Sequence, residues 1–551
     1  MLTVLFNWVY IFLTAFCLGQ GFAYTVEKRF NYQIKKTDSI LAAGLIIATV
    51  YSQIFSIFYK VELLVNVIML IVCILIMTVL RKRIGQMIMT GLKKCNILRI
   101  VAILVLIVLW SYFTSRGYMA YDSDLYHGQS IRWIEEYGVV KGLGNLHIRF
   151  AYNSSVFALS ALYSMKFLIG QSLHTINGFF ALVLSITVLD IADTWKRKKL
   201  LLSDYARAAA VYYLTVICDE VISPSSDYAA MCMIFFIIIK WLGLLESEEE
   251  HDTEIPYALL CVCGVYALTI KLTAGLILIL VIKPVIILIR KKRFKEMALY
   301  LAMGIITVIP WLVRTVIISG WLLYPFPQLD LFSVDWKISA QKAATDAAEI
   351  KVWGRGLYDA ALVDIPITKW FPNWFSTMLS SFGKLLIIAD IAGIGIIVII
   401  LVFTIIKKKW QRFDYLLVLT AILFSYLYWQ FSAPLLRYGY AYVLLLAVLP
   451  LGGLIIGLKK DKIVYFLALL YGGYKLCMII FYIYEVGLLP NYLWQNDYGT
   501  YDVQAYEIEG ETFYYPIYGD RVGYDYFPSA PGKVELEFRG DGIKDGFRSL
   551  Y

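Results

Sequence analysis

Runs of about twenty apolar residues recur along this chain, and about twenty is the number an α-helix needs to cross the hydrocarbon core of a bilayer. Lipid offers no partner for a backbone N–H or C=O, so a run that crosses it must close its own hydrogen bonds as a helix. The spacing predicts an all-α polytopic membrane protein of about fourteen spans, at 2–24, 40–58, 61–80, 98–113, 175–194, 205–220, 229–245, 256–270, 272–288, 297–318, 384–406, 415–430, 438–458 and 463–485. Composition agrees, with 60% hydrophobic and 17% charged residues and a mean hydropathy of +0.69. The first run lacks a basic leader and a small-residue cleavage site, so it is expected to be a retained span rather than a signal peptide.

A net charge of +9 would suggest nucleic acid in a soluble domain. Here the cations fall in short clusters between apolar runs: Lys28-Arg29 with Lys35-Lys36, Arg81-Lys82-Arg83, and residues 196–199, 290–295, 407–409 and 459–462. If the spans alternate, all these clusters face one side, which the positive-inside rule makes the cytoplasm. They are topology signals, and no nucleic-acid partner is expected. None of the eight cysteines falls in a long outer loop, and their spacing gives neither a disulfide framework nor a zinc site.

Residues 155–169 are apolar enough to resemble another span, yet counting them would invert every later loop. They are therefore expected to form a helix lying along or dipping into the outer face, with Trp133, Tyr137, Tyr152 and Tyr163 in the same interfacial layer. The outer side then receives loops 114–171 and 320–383, the turns near 218–227, 271 and 432–437, and a tail from 486 to 551. This divides the chain into N-terminal spans (1–97), a membrane core (98–485) and an extracytoplasmic tail (486–551). In loop 320–383 the segments 321–327 and 370–374 read as rigid and extended, with a helix-like stretch at 340–350 between them. Alternation and turn residues in the tail predict a small β-containing unit packed on the outer loops. The acidic run 246–254 reads as a solvated inner turn.

The residues most able to carry chemistry begin with Tyr121-Asp122-Ser123-Asp124-Leu125-Tyr126-His127. Asp122 and Asp124 fall on one side of an extended segment, or close together at a helix entrance where aspartate is a good cap. Residues 125–137 read as an amphipathic helix, and the same loop supplies Arg132, Glu135, Glu136, His147 and Arg149. Later outer positions add Asp219, Glu220, Asp227, Lys271, Arg314 and Arg437. Charges are costly in a bilayer and face inner cavities, so acids and cations gathered near one leaflet suggest a site for an anionic lipid substrate. Lys271 and Arg437 could instead snorkel to lipid phosphates, and the paired aspartates could be caps on a surface helix. Asp122, Asp124 and His127 could also take a divalent cation.

An Asp-x-Asp at the start of the first large outer loop, followed by interfacial helices and many basic-flanked spans, resembles the GT-C glycosyltransferases. The combination of Tyr121 to His127, Leu323-Tyr324-Pro325-Phe326-Pro327, Leu436-Arg437-Tyr438-Gly439-Tyr440 and the tail from Gly519 to Pro531 looks more narrowly like a group of bacterial polytopic proteins usually described only as membrane proteins. The resemblance implies transfer of a sugar from a polyprenyl-phosphate or polyprenyl-diphosphate donor to a glycan, lipid or protein acceptor, at the outer face of the bacterial inner membrane. It implies Asp122, with Asp124 second, as the catalytic or metal-binding acid, and a second acid among Asp219, Glu220 and Asp227. The chain lacks the Trp-Trp-Asp string of oligosaccharyltransferases and the His-Pro-Pro of many protein mannosyltransferase-like members.

On that reading Asp122 takes the acceptor hydroxyl's proton while Arg437, Arg314 or Lys271 hold the departing phosphate. His127, Arg132, Asp219, Glu220, Tyr324 and Tyr438 are the supporting or acceptor-side candidates. A polysaccharide polymerase or ligase would rely on outer-loop arginines instead of the acid. A lipid-linked glycan transporter or flippase would show internal repeats with mid-membrane charges, and no convincing repeat is present.

Overall fold

The computed structural model describes the whole chain except residues 95, 198, 248–252, 408–412, 459–460, 487–491 and 549–551. The middle of the acidic run 246–254 and parts of the basic clusters at 196–199, 407–409 and 459–462 thus lie outside the described residues. Among the described residues eleven helices are long and apolar enough to cross a membrane, from Leu2–Phe30 and Thr37–Phe58 to Leu436–Ile456. Three of the expected spans are not among them. Helices Leu202–Val216 and Ile255–Ile270 have 15 and 16 residues, about 22–24 Å at 1.5 Å per residue, short of a core of about 30 Å. The third, Asp461–Val486, has 26 residues, and several of its side chains lie outside the described residues.

The first two helices pack backbone against backbone. A Cβ on Gly19 would overlap the Ile40 carbonyl, and one on Gly44 the Ala15 carbonyl. Small residues at such a crossing let two backbones approach where lipid supplies no hydrophobic drive. One buried core runs from Val4 to Leu449, so residue 97 is not a boundary in the packing.

Residues 155–169 form no single helix long enough to cross a membrane; 155–163 lie in the core rather than along the surface, while 166–169 stay partly exposed. Helix Ser155–Tyr163 is buried along its whole length, and the Ser52 hydroxyl donates to the Ala158 carbonyl at 2.6 Å. Ser164 and Met165, the latter with φ 55°, separate it from the short helix Lys166–Ile169. Trp133 and Tyr163, expected at the interface, are fully buried instead. In the second long loop, helix Ala340–Gly354 extends the expected helical stretch. Residues 370–374 are helical rather than extended, within Ile367–Thr377. Pro372 forgoes one helical hydrogen bond, while Trp370 and Trp374, one turn apart, are buried on the same face. The Trp374 indole donates to the Pro434 carbonyl at 2.9 Å, tying this loop to the turn that precedes Arg437.

The tail contains an antiparallel hairpin of β1 (Val503–Ile508) and β2 (Glu511–Pro516). Its two-residue turn has φ 47° at Glu509 and 88° at Gly510, the left-handed pair that matches strand twist. Two-residue strands β3 (Glu537–Phe538) and β4 (Phe547–Arg548) form a second pair. Phe513, Phe538 and Phe547 bury themselves with Trp133, Val140 and Leu143 of the first long loop, so the tail packs on that loop. The bundle therefore has one end covered by loops and tail, and an opposite end formed by basic connectors.

Candidate functional site

The stretch expected to be extended or a simple cap is a π turn, Ser123–His127, leading into helix Gly128–Glu136. Such turns are rare and concentrate at functional sites. In any helical path residues two apart point to different sides, so the two aspartates diverge. Asp122 faces the bundle and Asp124 faces the tail.

Asp122 Oδ2 accepts from Arg437 at 2.5 Å. The same guanidinium reaches Asp227 Oδ2 through Nε at 3.0 Å, and Asp227 Oδ1 accepts from the Lys271 ammonium. The result is a row of alternating charge: Asp122, Arg437, Asp227, Lys271. Three breaks in helical structure place it. Asp227 sits in the first turn of Ser226–Leu245, where the Ser225 hydroxyl caps the helix and donates to Asp227 at 3.1 Å. Lys271 occupies the extended joint after Ile255–Ile270, which turns its ammonium over the Tyr438 ring at 3.6 Å. Arg437 lies in the first turn of the helix that follows Pro434. Of the three acids offered by the later turn, Asp227 is the one that joins Asp122. Glu220 accepts from the Tyr228 hydroxyl at 2.5 Å, and the Asp219 carbonyl receives the Tyr118 N–H.

Exposure separates the two acids. The Asp122 side chain is 26% exposed and that of Asp227 only 4%. Asp122 is therefore the carboxylate a ligand can reach, and Asp227 the buried counter-ion that fixes both cations.

A second charged group adjoins the first, and its acid, Asp346, was not singled out by the sequence. Arg149 pairs with Asp346 at 3.1 Å, and Asp346 also accepts from Tyr152 at 2.5 Å and Tyr324 at 2.9 Å. Burial opposes the charge on Arg149, but Asp346 outweighs it and holds the pKa above the usual value, with Tyr126 and Tyr438 in electrostatic reach. Tyr324 thus acts through Asp346 and not on Asp122. The signal for Asp346 was slight: it is the one charged residue among the four that helix Ala340–Gly354 buries, beside Ala343, Val352 and Gly354.

The structure places other expected site residues elsewhere. Asp124 accepts from the Gly499 N–H at 3.0 Å and the Tyr501 hydroxyl at 2.8 Å, and its carbonyl accepts from Val522 and Gly523. Arg132 donates to the Tyr524 and Asp525 carbonyls at 2.6 Å and stacks on Tyr524 and Phe527. Both residues clamp the tail and touch none of the four charges of the row. Arg314 is buried against Asn153 and Ser56, also away from Asp122. Among the described residues no group of three or more His, Cys, Asp or Glu side chains could hold a metal ion, and Asp122, Asp124 and His127 do not converge because of the turn geometry.

Asp124→Ala would leave the Gly499 N–H and Tyr501 hydroxyl unpaired, at a local cost of about 1–3 kcal/mol. We expect limited proteolysis within the tail to accelerate several-fold while the thermal midpoint of the bundle holds; an unchanged cleavage rate would refute the clamp.

His127 packs against Tyr126 and Phe157, and burial holds its pKa down at about 4, with Asp122 and Asp227 opposing that shift. His174 is likewise lowered by burial to about 4. Both are neutral in the folded protein near pH 7, while an unfolded imidazole titrates near 6.5. Between those values the unfolded chain binds more protons, so this stability is present above pH about 6.5 and is lost as pH falls toward 4, by about 3 kcal/mol per group. The thermal midpoint should hold from pH 8 to 7 and drop steeply between 6.5 and 4. His127→Gln should flatten part of the drop; an equal slope in the variant would contradict this cause.

A family described as a domain of unknown function, DUF8201, matches residues 1–444. The chain belongs to the DUF8201 family. No curated protein and no solved structure matches it. The DUF8201 match includes Asp122, Asp227, Lys271 and Arg437, and the tail that clamps the π turn lies beyond it.

Proposed function

We propose that this DUF8201 member is a membrane glycosyltransferase of GT-C-like architecture with about fourteen spans. It moves a sugar from a polyprenyl-phosphate-linked donor to a cell-envelope glycan, lipid or protein at the outer face of a bacterial cell membrane. The observation that carries this reading is the row Asp122, Arg437, Asp227, Lys271 at the loop-covered end, with one reachable carboxylate beside two cations. Nucleotide sugars are too charged to cross a bilayer, so a transferase facing outward needs a lipid-borne donor. That requirement joins such a site to so many spans.

The resting ion pair suggests how the parts cooperate. Donor phosphate competes with Asp122 for Arg437, and its arrival frees the carboxylate. The acceptor oxygen attacks the anomeric carbon while its proton passes to Asp122. The bond from that carbon to the phosphate oxygen breaks, and Arg437 with Lys271 stabilises the charge left on phosphate. Asp227 keeps both cations in place. Asp124 has no step in this scheme. A polymerase or ligase that relies on arginine alone would leave Asp122 dispensable.

The test is lipid analysis of a deletion strain. A polyprenyl-phosphate-linked sugar should accumulate several-fold, with loss of one sugar from a surface glycan. Unchanged lipid-linked sugars and unchanged glycans would overturn the transferase reading.

A further inference from the structure

A sizeable cavity lies far from Asp122. It is a half-open space of about 770 Å³, within the size of small-molecule sites. Helix Ser226–Leu245 carries Asp227 at its start and the lining residue Lys240 near its end, about 20 Å further along the axis. The cavity is therefore at the end with the basic connectors. Its inner wall is apolar, with Ile46, Val50, Phe236, Leu260 and Ile306, whereas its mouth is ringed by charge.

Lys35, Lys36, Arg197, Arg207 and Lys240 line the cavity against Asp190, Asp193 and Glu246. Asp190 is shared by Lys36 at 2.6 Å and Arg99 at 2.8 Å, and Asp204 by Arg197 at 2.9 Å and Arg207 at 2.7 Å. Lys240 has its own partner in Asp38 at 2.5 Å, and Asp193 and Glu246 also line the space. A polar ring over an apolar interior is the shape of an amphiphile's site.

Two buried atoms say more about the headgroup. Arg207 lines the cavity at 8% exposure, and its Nε–H has no partner among the described residues. Glu246 lines it too, and its Oε2 has no partner among them. The two are neighbours through Ser203: Arg207 donates to the Ser203 hydroxyl at 3.0 Å, and the Ser203 N–H donates to Glu246 Oε1 at 3.0 Å. Leaving a buried donor and a buried acceptor unpaired costs about 1–3 kcal/mol each. A ligand that supplies an anionic acceptor to the first and a hydroxyl to the second removes both costs.

We propose that this cavity binds a phospholipid whose phosphate headgroup carries a free hydroxyl, as in phosphatidylglycerol, at a site separate from the Asp122 row. The phosphate accepts from Arg207, the headgroup hydroxyl donates to Glu246, and the acyl chains follow the apolar wall toward Val50 and Ile306. The site does not depend on the transferase reading, because its readout is lipid binding and not turnover.

The test is native mass spectrometry of the full-length protein in detergent, titrated with dioleoyl phosphatidylglycerol, phosphatidic acid, phosphatidylcholine or undecaprenyl phosphate. Phosphatidylglycerol should bind at least tenfold more tightly than phosphatidylcholine and more tightly than phosphatidic acid or undecaprenyl phosphate, neither of which carries a headgroup alcohol. Arg207→Lys, which keeps the charge beside Asp204 but removes Nε, should lose about tenfold in affinity for phosphatidylglycerol. Val50→Trp, which fills the wall, should compete with the chains and weaken every lipid. Equal binding of phosphatidylglycerol and phosphatidylcholine, a preference for phosphatidic acid or undecaprenyl phosphate, or wild-type affinity in Val50→Trp would each overturn the proposal. The last variant also serves if Arg207→Lys does not fold.

Discussion

Asp227→Asn is expected to destabilise the protein by about 3–5 kcal/mol, the usual consequence of removing one partner from a buried ion pair. The Asp227 side chain is 4% exposed and that of Lys271 18%, so water cannot replace the lost carboxylate at the ammonium. Asparagine keeps the shape and one acceptor oxygen but leaves Lys271 and Arg437 facing each other across a neutral group. The Tyr438 ring below Lys271 contributes only about 2 kcal/mol to a desolvated cation. Thermal unfolding in detergent, followed by tryptophan fluorescence, reads the effect directly. Adding Lys271→Met should return more than half of the loss, because neighbours in one network are not additive. A midpoint within a degree of wild type in the single variant would show that Asp227 is not the counter-ion described.

Asp122→Asn should do the reverse. Its pair with Arg437 is partly exposed on both sides, 29% and 26%, where ion pairs are worth about 0–1 kcal/mol. Arg437 also keeps Asp227 at 3.0 Å, so the fold should barely register the change. The chemistry should register it strongly, since a positioned base contributes about 10²- to 10⁴-fold. Two acids touching one guanidinium thus have opposite expected phenotypes, and the difference follows from burial alone.

Much of this arrangement was legible in the sequence because charge in an apolar chain is expensive enough to leave a mark. Lys271 and Arg437 stood out for that reason, and the structure links both to Asp122 of the first long loop, Arg437 directly and Lys271 through Asp227. Asp227 could only be offered beside Asp219 and Glu220, since the choice rests on where three helix ends meet. Asp124 was misjudged because its direction depends on a π turn, which apolar periodicity does not encode. Arg314 was drawn to the site by its depth, yet Ser56 and Asn153, ordinary polar residues from distant segments, hold it elsewhere. Trp370 and Trp374 show the same limit: a proline between aromatics suggests an extended chain, but packing one turn apart on a buried face makes the segment helical. The cavity at the opposite end is assembled from several separate helices, so no single stretch announces it.

The central claim is that Asp122 is a base beside a cationic phosphate site. Its most direct test is mass spectrometry of surface glycans from a deletion strain complemented with wild type or Asp122→Asn, at matched protein levels in the membrane. The account predicts full restoration by wild type and, from Asp122→Asn, less than a hundredth of the product despite an unchanged thermal midpoint. Wild-type glycans from Asp122→Asn would contradict it.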